Sequence, residues 1–180
     1  GRKPHIKKRI IRFIPDENAA LLQASSGEVD TMDANPEQWV NQLTQTVFRE
    51  NFNKYYYYSP LYRYVGWNQD RPYFADKLVR RAMTEFIDRE AFLANVMFVL
   101  GKVVTGTFFV NSEDYSPEIK PWPYDPAGAK RLLDEAGWID HDGDGIRDKV
   151  IDGKSVKFSF NFMYASGRTL YEKLAVLLQE

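Results

Sequence analysis

The chain has 180 residues, 44% hydrophobic and 27% charged, which is enough for a packed core and excludes a disordered polar tract. A formal net charge of −1 excludes a global field for nucleic acid or an anionic membrane surface. The absence of cysteine excludes disulfides, thiolate metal sites and a cysteine nucleophile, and no apolar run approaches the roughly 20 residues that span a bilayer.

The β-branched stretch Ile6 to Ile14, ending at Pro15, predicts a strand; its basic residues Lys7, Lys8, Arg9 and Arg12 read as a solvated face. Gly1 opens the chain, so the lack of an export signal carries no information. Asp16 predicts the cap of a short helix that stops at Gly27, and Glu28 to Asp33 an extended piece. Asn35-Pro36-Glu37-Gln38 has the form of a helix start, with an Asn cap, Pro at the first position and Gln three residues on. That helix is expected to bury Trp39, Val40 and Leu43. The aromatic stretch Tyr55 to Asn68, broken at Ser59-Pro60, predicts two strands joined by a bend.

Asp76 then caps a helix whose apolar residues Val79, Ala82, Met83, Phe86 and Ile87 keep a helical period. Asp88 restarts or continues the helix through Phe92, Val96 and Met97 to Gly101. A proline-bearing loop from Asn111 to Tyr124 leads to Asp125-Pro126, which opens a helix with Ala129, Leu132, Leu133 and Ala136 inward and Gly137 as its stop. After an acidic glycine-rich loop, Asp152-Gly153 predicts a tight hairpin. Val156, Phe158, Phe160 and Phe162 alternate as in a strand with one buried face. A last amphipathic helix through Leu170, Leu174, Leu177 and Leu178 runs into Glu180 without a stop signal. Alternating helices and strands predict a layered α/β domain.

Four of these pieces together resemble one known family. Phe74 and Asp76, followed by Val79-Arg80-Arg81-Ala82 and Ile87-Asp88-Arg89-Glu90, are similar to a signature of the family 5 extracellular solute-binding proteins, which include oligopeptide, dipeptide and nickel binders. The run from Tyr124-Asp125-Pro126 to Ala136-Gly137-Trp138 resembles the family's Tyr-Asp-Pro helix, and the loop Asp142 to Asp148 follows in its usual place. Upstream, Ser26-Gly27-Glu28 and Asp30 resemble a further step. The resemblance covers nearly the whole chain in order.

What the resemblance implies is an internal fragment, mostly of the second lobe, of a two-lobed protein with a type II periplasmic-binding-protein-like fold. Its mixed β-sheet would be flanked by helices, with residues 1–68 as entry strands near the interlobe region and 69–180 as second-lobe core. The implied function is binding of oligopeptides or similar solutes for an ABC importer, outside the cytoplasm, as a monomer that is periplasmic or held at the cell surface, with a lipid anchor possible in the full-length protein. Implied partners are the solute and the permease subunits, with no nucleic acid, no membrane insertion by this segment and no cofactor. The resemblance places Trp67-Asn68 and the loop Thr107, Phe108 and Phe109 at the interlobe cleft. Tyr164, at the end of the alternating strand, joins them because ligands of open α/β sheets sit beyond strand carboxyl ends.

Other motifs read as structural. Asp140, Asp142, Asp144, Gly145 and Asp148 follow a calcium-loop spacing, but Ile151 stands where a bidentate Glu closes the cage, so the loop reads as a turn rather than a metal site. Asp76 with Arg80, and Arg81 with Glu85, read as ordinary helix-surface ion pairs. His5 and His141 have no nucleophile or second ligand at useful spacing. Two rival functions stay open: a hydrolase using Asp142, Asp144 and Asp148, which requires a concave site with a raised carboxyl pKa, and a protein-interaction domain using the Tyr55–Tyr64 face.

Overall fold

The computed structural model describes residues 5–179; residues 1–4 and Glu180, the expected terminus of the last helix, lie outside that range. Asp16 accepts from the Ala19 amide at 2.7 Å and starts α1 (Glu17–Ser25). The helix closes where the Glu28 and Gly27 amides bond back to Gln23 and Ala24, with Gly27 at φ 76°. The predicted capping box at Asn35 forms reciprocally: the Gln38 amide donates to the Asn35 side chain at 2.8 Å and the Asn35 amide to the Gln38 side chain at 3.2 Å. It introduces a wide π-helical turn, Gln38–Gln42. The wider turn rotates the inward face, so Gln38 and Leu43 are buried while Val40, expected inside, is exposed. α2 (Thr46–Asn51), which the sequence reading missed, buries Phe48. Ala24, Leu43 and Phe48 form a first small core.

A second core is built on α3 (Lys77–Glu85) and α5 (Pro126–Glu135). Val79 and Ala82 of α3 meet Ala129 and Leu133 of α5, and the two alanines, both fully buried, allow close approach. Each helix begins at its predicted aspartate: Asp76 accepts from the Leu78 amide and Asp125 from the Gly128 amide, both at 2.8 Å. α5 ends in a Schellman turn, with the Trp138 amide on the Leu133 carbonyl and the Gly137 amide on that of Asp134. Gly137 at φ 80° permits this, and the turn drops Trp138 into the core at 1% exposure. β1 (Asp148–Ile151) and β2 (Lys154–Lys157) pair antiparallel around Asp152-Gly153. Both turn residues have positive φ, as the predicted tight hairpin requires. α6 (Thr169–Leu177) completes the described elements.

Several expected strands are extended without partners. Residues 6–14 and 55–68 join no sheet, and most of their large side chains stand in solvent, Phe13 at 91% and Leu61 at 80% exposure, with Trp67 half-buried. The alternation from Val156 to Phe162 is real, with those four residues half-buried and Lys157, Ser159 and Asn161 exposed, but ladder pairing stops at Lys157. The side-chain pattern is thus present without a neighbouring strand to complete it, and the sheet among the described residues is small and open.

α4 (Arg89–Asn95) also ends earlier than expected, short of Val96 and Met97. Phe98 and Val99 take positive φ of 49° and 61°, which breaks the helical path before Gly101. This is costly for a β-branched residue.

Candidate functional site

Trp67 is the predicted site residue with the most structural context. Its ring lies 5.0 Å from that of Phe74 and 6.1 Å from that of Phe160, centroid to centroid, so it is half-buried on the rim of the second core. Tyr73 and Phe158 extend the same aromatic group. Asn68 next to it is exposed. Its side-chain oxygen accepts from the Asp70 amide at 3.0 Å, which fixes the turn. Tyr164 lies four residues along from Phe160 on the same tract, half exposed and stacked on Phe162 at 6.2 Å. The structure therefore brings Trp67 beside the tract that carries Tyr164.

Among the described residues, no aromatic contact or side-chain hydrogen bond joins the Thr107 to Phe109 loop to this group. Thr107 and Phe108 are exposed, while Phe109 is half-buried and its carbonyl accepts from the Ser112 amide and hydroxyl at 2.8 and 2.7 Å. The larger of two described hollows, about 480 Å³, lies elsewhere, between α4 and α6, against Phe92, Asn95, Val96, Lys173, Val176 and Leu177. The sequence reading missed it because the hollow is made by two helices distant in the chain.

The ion pairs differ from expectation in two places. Arg80 does not pair with Asp76; it donates to the Phe74 and Ala75 carbonyls at 2.7 and 2.8 Å and so ties down the turn before α3. Arg81 does reach Glu85, at 2.8 Å, but Glu85 is only 3% exposed, so the pair is no ordinary surface bridge. Removing Arg81 would leave a buried carboxylate without its charged partner.

The acidic loop is held in a turn by bonds from its own amides. Asp140 accepts from the Gly143 and Gly145 amides at 2.8 and 3.0 Å, and Asp144 from that of Ile146 at 2.8 Å. Asp148 is buried and receives the His141 amide and faces its ring. The carboxylates of Asp140, Asp142 and Asp148 approach one another closely, yet the loop's own amides and Lys157 occupy them. A hydrolase would need a carboxyl raised above its usual range. Asp144 is shifted the other way, held low first by its hydrogen bond from Lys157 and then by the Ile146 amide. Lys157 is raised by the same bond.

A depressed carboxyl favours the folded loop above its unfolded value of 3.8, and that contribution is lost as pH falls through the lower folded value. The raised ammonium favours it below 10.5, and its share is lost as pH rises beyond that. In Lys157→Met the Asp144 carboxyl should therefore titrate at higher pH than in the parent chain, measured by carboxyl-carbon NMR. An unchanged midpoint would show that the bond does not persist in solution. Tyr56, on the exposed tract, is raised by partial desolvation and then by its contact with Tyr58.

With this geometry in place, comparison with known proteins gives the family. The family described as bacterial extracellular solute-binding proteins, family 5 Middle, matches residues 1–180. The chain belongs to this family. The oligopeptide-binding protein AppA of Bacillus subtilis is 34% identical over 183 residues, which cover 99% of this chain and 32% of AppA. The solved structure of AppA in complex with a nonapeptide superposes on 92% of the chain, and 32% of that protein, with a TM-score of 0.78. NikZ of Campylobacter jejuni in complex with Ni(L-His) is 27% identical and superposes with a TM-score of 0.81, covering 93% of this chain and 32% of NikZ. The chain thus spans about a third of the length of these family 5 relatives. The likeness to solved type II binding proteins supports the fold class read from the sequence. Among the described residues, no helix is long and apolar enough to cross a membrane.

Proposed function

We propose that this chain is an internal part of an extracytoplasmic solute-binding protein that encloses an oligopeptide, or a similar small solute, between two lobes for an ABC importer. The observation that carries the reading is the likeness to peptide-bound AppA, which combines 34% identity with superposition of nearly the whole chain. In this reading residues 1–68 lie near the interlobe region and 69–180 form second-lobe core. Asn68 offers polar atoms to a ligand main chain, Trp67 and Tyr164 supply apolar walls, and Thr107, Phe108 and Phe109 form an edge of the cleft. The protein acts as a monomer outside the cytoplasm, breaks no bond in its solute, and hands the solute to permease subunits. A peptide is favoured over a nickel chelate because identity to AppA exceeds that to the nickel binders, and because His141 is engaged by Asp148.

The test uses the intact protein that contains this chain. Thermal unfolding is followed with mixed nonapeptides and, separately, with Ni(L-His). A ligand at a hundred times its Kd stabilises by about 2.7 kcal/mol, so a peptide pool should raise Tm by several degrees. A rise with nickel–histidine alone would replace the peptide by a metal chelate, and no rise with either would remove the reading.

A further inference from the structure

The two cores share no buried residue. Ala24, Leu43 and Phe48 make one, and the group from Phe74 to Trp138 the other. Among the described residues, the side-chain hydrogen bonds that join the segment carrying the first core to the remainder of the chain beyond Trp67 are two ion pairs from α6. Arg168 meets Glu17 at 3.3 Å, and Lys173 meets Glu37 at 2.8 Å.

These contacts have opposite charges sorted by side, with both acids on the first segment and both bases on α6. The acid receiving Arg168 is also fixed in place before the base arrives. Glu17 accepts from the Asn35 side chain at 2.7 Å, its carbonyl accepts from the Gln38 side chain at 2.9 Å, and its own side chain is only 24% exposed. Asn35 and Gln38 are the partners of the capping box, so the π-helical turn that follows is coupled to the position of this carboxylate. Glu37, which receives Lys173, lies on the same turn. Arg168 stands at the N-cap of α6 and Lys173 five residues further along.

We infer that Glu17–Arg168 and Glu37–Lys173 form an electrostatic latch that holds the first segment against α6 and biases the two halves toward the arrangement seen here. The inference rests on the two-lobed reading above. It adds to that reading specific positioning residues that touch no solute. Neither apolar core includes a residue of α6, so α6 can leave the first segment without breaking either. Each pair is partly exposed, so it shifts the balance by about 1.5- to 5-fold and weakens with salt as charges are screened.

The test needs no solute, so its failure is distinct from failure of the binding function. Spin labels at Asn41→Cys and Gln179→Cys, with any cysteine elsewhere in the intact protein replaced, report the distance between the first segment and the end of α6. The distance distribution should be narrow at 50 mM salt and broaden in 1 M salt. It should broaden likewise at low salt in Arg168→Glu/Lys173→Glu and return to the parent form when Glu17→Lys/Glu37→Lys is added. Near-ultraviolet circular dichroism verifies the fold of each variant, and the salt series on the parent stands even if a variant misfolds. A distribution insensitive to salt, or a folded charge swap that does not restore it, would overturn the latch.

Discussion

Replacing Trp138 by Ala should cost about 3–5 kcal/mol, the range for emptying the site of a large buried ring. Trp138 is 1% exposed, packs edge-on against Phe158 at 5.0 Å and tilted against Tyr73 at 6.2 Å, and follows the turn that ends α5. Two effects add at this residue. The ring fills space between the α3–α5 pair and the aromatic tract, and its contact with Leu133 accompanies the Schellman turn that satisfies the last carbonyls of α5. Small domains are stable by only about 5–15 kcal/mol, so the variant should sit close to unfolding at 37 °C. Urea unfolding followed by circular dichroism checks this: the midpoint should fall with the slope unchanged. A loss under 1 kcal/mol would mean that the ring is not packed as described.

Phe74→Ala should be comparably severe, at about 3–5 kcal/mol, but with a further consequence for the candidate site. Phe74 is 4% exposed and its ring lies within 5.0 to 6.2 Å of Trp67, Tyr73, Phe158 and Phe160. It is the residue on which Trp67 rests. Removing it should loosen Trp67 as well as destabilise the core, which would appear as greater quenching of tryptophan fluorescence by acrylamide in conditions where the variant remains folded. If stability falls while quenching stays constant, Trp67 is held by Phe160 alone and the proposed link between core and site is wrong.

Local chemistry was legible in the sequence wherever one residue decides a conformation. Asp16, Asp76, Asp88 and Asp125 each cap the helix predicted for them, because a short carboxylate reaches the free amides of a first turn. Gly137 and Asp152-Gly153 turn the chain where positive φ is needed. The α3–α5 core followed from apolar period. Strand pairing was not legible, because alternation at Ile6 to Ile14 or Tyr55 to Tyr64 describes one face of a tract and says nothing of whether a neighbour is present. Val40 and the early end of α4 failed for a related reason: a π-helical turn and two residues at positive φ change the register without a distinctive sequence signal. The burial of Glu85 depends on what packs over it, which spacing along one helix cannot reveal. At the candidate site, Trp67 could be found as an aromatic but not as a ring already committed to Phe74 and Phe160.

The bare tracts at 6–14 and 55–64 set a practical condition on handling these 180 residues apart from the longer protein proposed above. Their main-chain amides and carbonyls form two margins to which strands of other molecules can add, and Ile10, Ile11, Tyr55, Tyr57 and Leu61 make such addition adhesive. With a net charge of only −1, little long-range repulsion keeps copies apart. Clumping would then begin at these margins while α3 and α5 stay folded, so solubility and melting temperature become separate properties, governed by different parts of the chain.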